Sequence, residues 1–460
     1  MPSAAPDSLR TRLRVLLSLA WPVVLTRATQ SVIGFCDALM VAPLGEAELA
    51  AVTTGALNSF ALIILPMGTV FILQSFVSQL RGRGELGRVT RYAQYGLLLS
   101  LLAGLAGVCA IPFLPRALSL IAFAPDVRAF MSEYLAIRLL SVAFAVGIEA
   151  LGNWYGGLGN TRAAMQAGVV AMAVNVLGNY ALIQPRWGLE GFGVAGAAWA
   201  SVLGSAVGFF VLLGMFVLRR GYPAIAQSSP FLWTELWRVL RFGLPSGINW
   251  FFEFSAFALF MNVVVGHLGT TALAAFNVVI QLNSVAFMPA FGLASAGAIL
   301  VGEAIGRRDY DGVWRTVKLT AQLTCLFMGT VGLLYLTIPE WLVGYFAAGH
   351  SGRASFLELA AWMLALSAVW QLFDGLGMTL GEALRAAGDT AWCMWARVVI
   401  AWVIFTPLSW LWVVTFDGGP TAVMLSMMVY MALLALVLGY RYRTGRWRGI
   451  HLFGAEPVLV

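Results

Sequence analysis

Five acidic residues lie within long apolar stretches of the sequence, where charged side chains are rare. They are Asp37, Glu149, Glu253, Asp374 and Glu382. An ionisable residue at the centre of a bilayer costs about 2.5–3.5 kcal/mol on insertion scales, so such residues usually face a partner or a transported ion. A carboxylate in that setting can exchange a proton or bind a small cation. The alternative is a salt bridge that locks helices together, with Arg27 or Arg138 as the partner.

The depth of each acid within its stretch separates these two interpretations. Asp37, Glu253 and Asp374 lie deep, which favours a functional role. Glu149 and Glu382 lie nearer the predicted cytoplasmic ends, where simple hydration explains them equally well.

Two asparagines, Asn175 and Asn179, are spaced one helical turn apart and therefore share a face of their helix. Amide oxygens beside a carboxylate would supply the hard oxygen ligands of a small cation such as Na⁺. Ordinary hydrogen bonding between membrane helices explains the pair equally well.

The composition identifies the setting of these residues. Of 460 residues, 60% are hydrophobic and only 11% are charged, whereas a soluble domain carries about 25% charged residues. The chain is therefore predicted to be an all-α, multi-pass membrane protein, which excludes a soluble enzyme and a nucleic-acid-binding module. No nucleotide-binding or zinc-protease motif occurs, so no cofactor is expected and the energy source would be an ion gradient or a partner.

The apolar runs predict twelve membrane spans of about 20 residues or more. Three arginines precede the first span, which is too long for a cleavable signal peptide. The predicted spans are 14–42, 49–77, 91–113, 129–154, 163–184, 191–218, 238–266, 273–302, 314–343, 355–383, 393–416 and 420–440.

The basic residues predict the orientation. With the N-terminus inside, 22 Lys and Arg fall in or beside cytoplasmic segments and four fall outside, namely Arg116, Arg128, Arg186 and Arg353. This bias follows the positive-inside rule and places both termini in the cytoplasm. It also explains the net charge of +7 without invoking nucleic acid.

The two halves of the sequence resemble each other at an offset of 223 or 224 residues. Leu44-Gly45 matches Leu268-Gly269 at an offset of 224, and the turn Gly159-Asn160-Thr161 also resembles Gly388-Asp389-Thr390, at an offset of 229. Because each half begins on the same side, the repeats are parallel. The predicted organisation is an N-terminal six-helix lobe at 1–218, a basic cytoplasmic linker at 219–237 and a C-terminal six-helix lobe at 238–460.

Several of these segments together resemble the multidrug and toxic compound extrusion (MATE) transporters, over essentially the whole chain. The matching segments are Pro22, Gln30, Gly34 and Asp37 with Leu44-Gly45; Gly159-Asn160-Thr161-Arg162 with Asn175 and Asn179-Tyr180; Pro245 with Glu253; Met288-Pro289-Ala290-Phe291-Gly292; and Asp374 with Leu384-Arg385 and Gly388-Asp389-Thr390.

The resemblance implies two six-helix lobes in a V and export of amphipathic organic cations in exchange for H⁺ or Na⁺. It implies coupling and substrate-binding roles for Asp37, Asn175 and Asn179 in the first lobe, and for Glu253 and Asp374 in the second. Either group could hold Na⁺. Gln30, Glu149, Arg27 and Glu382 are secondary candidates, and Arg27 is a departure from the family pattern.

Two alternatives belong to other functional classes. A flippase for an anionic lipid-linked sugar would need a cationic cavity, whereas five acids face only Arg27 and Arg138 within the spans. A membrane-embedded enzyme would need a nucleophile with a base, or a metal site. The three histidines (His267, His350 and His451) lie in loops or the tail beside no motif. The prediction is therefore a monomeric, non-enzymatic antiporter of the plasma membrane, or of the inner membrane in a bacterium.

Overall fold

The structure is a computed structural model that describes residues 8–120, 124–185, 191–223, 230–346 and 353–453. Arg186, His350 and the linker residues 224–229 lie outside these ranges, as does the side chain of Arg353. Within them every regular element is helical, which agrees with the predicted all-α class.

The chain forms two compact units, which are described separately. The first unit runs from Pro22 to Gly247, and the second comprises residues up to Trp21 together with those from Ile248 onward. Two helices, α1 and α10, are thereby divided between the units. The predicted lobe boundaries at 218 and 238 divide the chain by sequence order. The division into compact units does not test them, so they stay a prediction.

The first unit contains most of α1, the helices α2 to α9 and the start of α10. Short 3₁₀ turns at Ala42–Leu44, Leu86–Arg88 and Ile111–Phe113 connect some of them. The helices are α1 (Leu9–Val41), α2 (Glu46–Val70), α3 (Leu73–Arg83), α4 (Val89–Ala110), α5 (Leu114–Ser119), α6 (Pro125–Leu139), α7 (Val142–Gly157), α8 (Thr161–Leu182), α9 (Gly193–Val217) and α10 (Trp233–Leu259).

The second unit contains the rest of α10, the helices α11 to α17 and the first turns of α1. Those turns pack through Leu16 and Ala20 against Ala296 and Ile299 of α11. The helices are α11 (Thr270–Gly306), α12 (Tyr310–Thr337), α13 (Pro339–Gly344), α14 (Arg353–Ala386), α15 (Thr390–Val398), α16 (Thr406–Trp410) and α17 (Gly419–Arg443), with π-helical segments at Phe260–Val265, Val399–Phe405 and Leu411–Thr415 and a 3₁₀ turn at Arg446–Gly449.

Eleven helical stretches in the described part are long and apolar enough to cross a membrane. The bent pair α6 and α7 makes a twelfth if the two helices count as one span. These stretches coincide with the twelve predicted spans, so the prediction of a multi-pass helical membrane protein is confirmed.

Two spans differ from their predicted form. The span predicted at 129–154 bends by 47° between α6 and α7, where the Ser141 hydroxyl donates to the carbonyl of Arg138 at 2.7 Å and competes with the helix ladder. The span predicted to end at 343 ends at Thr337. Pro339 begins the separate helix α13, because a proline disfavours helical geometry in the residue before it.

The two turns paired by the internal repeat have the same backbone conformation. Gly159 has φ +83° and Gly388 has φ +88°, and a helix begins two residues later in each case, at Thr161 and Thr390. Glycine is the residue that adopts this region without steric cost. The resemblance predicted between these turns is therefore confirmed in their geometry.

Candidate functional site

Asp37 lies at the centre of a buried polar cluster formed by α1, α8 and α9 in the first unit. Asn179 Nδ2 donates to Asp37 Oδ1 at 2.5 Å, and Ser201 Oγ donates to Oδ2 at 3.3 Å. Asn175 Nδ2 donates to Ser201 Oγ at 3.1 Å. The carboxylate of Asp37 is thus held by neutral amide and hydroxyl groups.

Close packing of α8 against α9 creates this cluster. Asn175 and Asn179 lie one turn apart on α8, and each is 1% exposed. Gly204, one turn after Ser201, has no side chain to separate the helices: a Cβ there would lie 2.8 Å from the carbonyl oxygen of Ala171 and 3.1 Å from Cβ of Asn175. Small residues at such contacts let membrane helices approach closely.

One oxygen of the cluster has no partner. Asn179 Oδ1 is buried and accepts no hydrogen bond from any described residue. A buried carbonyl oxygen without a donor is costly, and a cation or water bound there would satisfy it. Arg138 and Tyr134 of α6 lie within electrostatic range of Asp37, and Arg138 forms no ion pair within the described ranges.

Glu149 and Arg27 form an ion pair, also in the first unit. Arg27 Nη2 lies 2.9 Å from Glu149 Oε1, and Asn153 Nδ2 donates to the same oxygen at 2.9 Å. The geometry of Glu149 therefore matches the salt-bridge interpretation, in which the acid joins helices through Arg27. Gln30 is exposed on α1 and makes no hydrogen bond to a described residue.

Glu253 in the second unit is also ion-paired. Arg397 Nη1 donates to both carboxylate oxygens of Glu253 at 2.6 Å, and the hydroxyl of Tyr430 donates to Oε1 at 3.4 Å. The side chains of Glu253 and Arg397 are 35% and 20% exposed, so the pair is only half-buried.

Asp374 lies within electrostatic range of Glu253 and Arg397, on α14. Its carboxylate forms no hydrogen bond or ion pair with any other described residue. The predicted acidic pair is therefore brought into one neighbourhood, where one acid is neutralised and the other is not. Glu382, further along α14, pairs instead with Arg385 one turn later.

Three residues of these clusters were not among the predicted site residues: Ser201, Arg397 and Tyr430. Arg397, one of the 22 basic residues counted in or beside cytoplasmic segments, lies in the last turns of α15 within the apolar helical stretch Thr390–Thr415. The predicted start of that span at 393 already placed Arg397 inside the membrane. Without Arg397 and Arg385, which lies in the stretch Ala354–Ala386, 20 inside residues remain against four, so the charge bias persists.

Comparison with protein families gives one assignment. The sequence model of the MatE family matches residues 22–181 and 245–411, which is more than half of the chain and includes every acid of both clusters. A relative from Pseudomonas putida, described as a probable multidrug resistance protein NorM, is 27% identical over 95% of this chain and 96% of its own length.

Solved structures agree in fold. A MATE protein in a bent conformation superimposes with a TM-score of 0.85 at 19% identity, covering 95% of this chain and 96% of its own. A MOP superfamily transporter from Pyrococcus furiosus superimposes with a TM-score of 0.84 at 18% identity, covering 95% of this chain and 97% of its own. The latter is described as having a binding pocket of reverse polarity and a different function. These likenesses therefore concern the fold alone.

Proposed function

The chain belongs to the MatE family, and from that premise we propose that it is a multidrug efflux transporter that exports amphipathic organic cations in exchange for H⁺ or Na⁺. Its relative from Pseudomonas putida is described as a multidrug resistance protein. A transporter of this kind carries out no covalent chemistry, so the residues that matter are those that bind ions and substrate.

The observation that carries the proposal is the setting of Asp37. Its carboxylate is 7% exposed, and its hydrogen-bond partners are neutral. A buried carboxylate held in this way keeps an unsatisfied preference for a positive charge. Both a coupling ion and an organic cation can supply that charge, which is the requirement for competition between them.

Coupling then follows from competition for the acids. A ligand shifts an equilibrium between two conformations only by its differential affinity for them. H⁺ or Na⁺ at Asp37 or Asp374 would neutralise the acid and release the organic cation, and loss of that ion on the inside would restore the acid for the next substrate.

The residues around Asp37 fit Na⁺ as well as H⁺. Na⁺ would receive the Asp37 carboxylate, the unpartnered Oδ1 of Asn179 and the hydroxyl oxygen of Ser201. A proton needs only the carboxylate. The second unit offers Asp374 beside the Glu253–Arg397 pair, which supplies fewer free oxygen ligands and therefore suits a proton better.

The flippase alternative is less well supported than cation export. The reason differs from the sequence argument, which relied on the excess of acids over arginines within the spans. The structure adds Arg385 and Arg397 to the two intramembrane arginines predicted, so the acids no longer greatly outnumber the bases. Three of the five acids are ion-paired. Asp37 and Asp374 have no ion pair among the described residues. Arg138 lies near Asp37, and one such arginine for two acids leaves the balance negative.

The proposal also includes the membrane in which the protein lies and its orientation there. Long apolar helices support a multi-pass protein, and we place it as a monomer in the plasma membrane, or in the inner membrane of a bacterium, with both termini cytoplasmic. The distribution of basic residues supports this orientation.

Purified protein in liposomes provides the test. Liposomes are preloaded with ethidium, a fluorescent organic cation, and a pH gradient and a Na⁺ gradient are imposed separately. Wild type is compared with Asp37→Asn and Asp374→Asn. Glu46→Gln, a matched change at the exposed first turn of α2, is the control.

Gradient-driven movement of ethidium that is lost in both Asp variants and kept in Glu46→Gln supports the proposal, and the gradient that works identifies the ion. Absence of movement by wild type under either gradient overturns cation antiport. Equal activity of wild type and Asp37→Asn would remove Asp37 from the mechanism.

A further inference from the structure

Arg397 lies in the second unit against Glu253, one of the two acids to which the family resemblance gives a cation-binding role. Its Nη1 is 2.6 Å from both oxygens of Glu253, so a single guanidinium nitrogen occupies the space between them. An arginine side chain remains charged under all conditions met in a protein. Glu253 is therefore already neutralised in the absence of substrate.

Neighbouring contacts hold the pair in place. Trp402 Nε1 donates to the carbonyl of Phe252 at 3.1 Å, which ties the residue preceding Glu253 to the helix that carries Arg397. Between Arg397 and Trp402 the helix widens into the π-helical segment Val399–Phe405, and such bulges are frequent at functional sites. Tyr430 approaches the same carboxylate from α17. The pair is thus positioned by α10, α15 and α17 together.

Asp374 is the only acid of this neighbourhood left without an ion pair among the described residues. The three groups Glu253, Arg397 and Asp374 carry a net charge of −1 when all are ionised. Without the guanidinium the same site would carry −2. The arginine therefore sets how much positive charge the site accepts.

We propose that Arg397 is a resident cation that occupies Glu253 and restricts the second unit to ligands bearing one positive charge, bound at Asp374. The arginine acts as a specificity-determining residue rather than as a structural tie. A dication brings a second charge toward a guanidinium that is already present and is repelled by it, whereas a monocation needs only Asp374.

The inference rests on the proposed transport of organic cations, and the test uses two dyes that share one ring system. Ethidium carries one positive charge and propidium carries two. Their apparent affinities are measured in the same proteoliposomes for wild type, Arg397→Gln and Arg307→Gln. Arg307 is the matched control, because it forms an ion pair with Glu303 on the exposed end of α11 in the same unit.

In Arg397→Gln we expect the affinity for propidium relative to ethidium to rise about tenfold, the order expected for removal of one charge about 10 Å away at an effective dielectric constant of about 20. Arg307→Gln should leave the ratio unchanged. An unchanged ratio in Arg397→Gln, with ethidium transport intact in wild type, overturns the inference alone. Absence of ethidium transport by wild type is a failure of the proposed function instead.

A charge-cancelling double variant gives a second, independent readout. Glu253→Gln alone leaves Arg397 without its acid and free to neutralise Asp374, so ethidium transport should fall at least tenfold. In the double variant Glu253→Gln/Arg397→Gln, transport should return to within about twofold of wild type, as long as Asp374 is intact.

A double variant that melts like the wild type but stays inactive overturns the inference, because Glu253 would then bind the transported ion itself. The melting temperature of each variant separates this result from misfolding. Arg397→Gln, which keeps Glu253, provides the selectivity readout even if Glu253→Gln does not fold.

Discussion

The guanidinium of Arg27 lies 2.9 Å from the carboxylate of Glu149, across 122 residues of sequence, and joins α1 to α7. Asn153 donates to the same carboxylate. The side chains are only 14% and 7% exposed. Arg27 is therefore committed to a partner, and its charge is unavailable to a substrate.

Replacing Arg27 should destabilise the protein more than it alters transport. Removing one member of a buried ion pair costs about 3–5 kcal/mol, because the remaining charge is left uncompensated. Arg27→Gln should clearly lower the melting temperature of the purified protein, and Arg27→Gln/Glu149→Gln should recover most of the loss. A decrease no larger than that of the exposed Arg307→Gln would contradict this view.

Arg138 is the more informative arginine for the charge of the substrate. It lies within electrostatic range of Asp37 without an ion pair in the described structure. Arg138→Gln should raise the apparent affinity for ethidium several-fold, since a repelling charge is removed near the acid. An anionic-lipid flippase should instead lose activity. The ethidium assay in proteoliposomes distinguishes the two, and a large loss of ethidium transport would argue against cation export.

The hydrogen bonds to Asp37 predict that variants of its donors change ion binding by different amounts. A hydrogen bond to a charged group contributes about 1.5–3 kcal/mol, which corresponds to about tenfold or more in affinity. Asn179→Ala should therefore change binding of the coupling ion by at least about tenfold. Binding of H⁺ should tighten, because the ionised carboxylate loses a donor, whereas binding of Na⁺ should weaken, because an oxygen ligand is lost. Ser201→Ala should act in the same direction but only a few-fold, because its contact is longer at 3.3 Å.

Titration of transport against ion concentration checks this order. Ser205→Ala, one turn further along α9, is the control and should have little effect. If Ser201→Ala and Asn179→Ala were equally mild, Asp37 would not be the site at which the ion binds.

The turn at Gly388 offers a prediction about stability that is independent of the acids. Its φ of +88° strains any other residue by about 1–2 kcal/mol, and a Cβ there would lie 2.6 Å from Cδ2 of Leu452. Gly388→Ala should lower the melting temperature. Gly214→Ala, in a regular helix with open space around the new atom, should not, and equal effects of the two changes would refute the argument.

The sequence predicted the spans well because hydrophobic runs report directly on membrane crossing. The resemblance also identified Asp37 with Asn175 and Asn179, and the structure brings these three residues together. The turns at Gly159 and Gly388 could likewise be matched, since few residue types tolerate their backbone conformation. The spans and the turns are recognised from short stretches of the chain, and the three polar residues were identified by their positions in the family pattern.

The partners of the acids could not be predicted in the same way. Whether Glu253 meets Arg27, Arg138 or Arg397 depends on how each helix is rotated about its axis, which hydropathy does not report. Ser201 lies in a helix rich in small residues, where a serine looks like one more packing position. The bend between α6 and α7 coincides with a side-chain hydrogen bond of Ser141, for which the sequence carries no periodic signal.

The different partners of Asp37 and Glu253 also determine how each responds to the membrane potential. Moving one elementary charge through 100 mV is worth about 2.3 kcal/mol. Glu253 and Arg397 together carry no net charge, so displacement of the pair through the field performs no electrical work. Asp37, whose hydrogen-bond partners are all neutral, carries a full negative charge through the field whenever it is ionised and empty. Under the proposed antiport, we therefore expect the acids' own contribution to voltage dependence to come from Asp37 and Asp374, which have no ion pair among the described residues, rather than from Glu253.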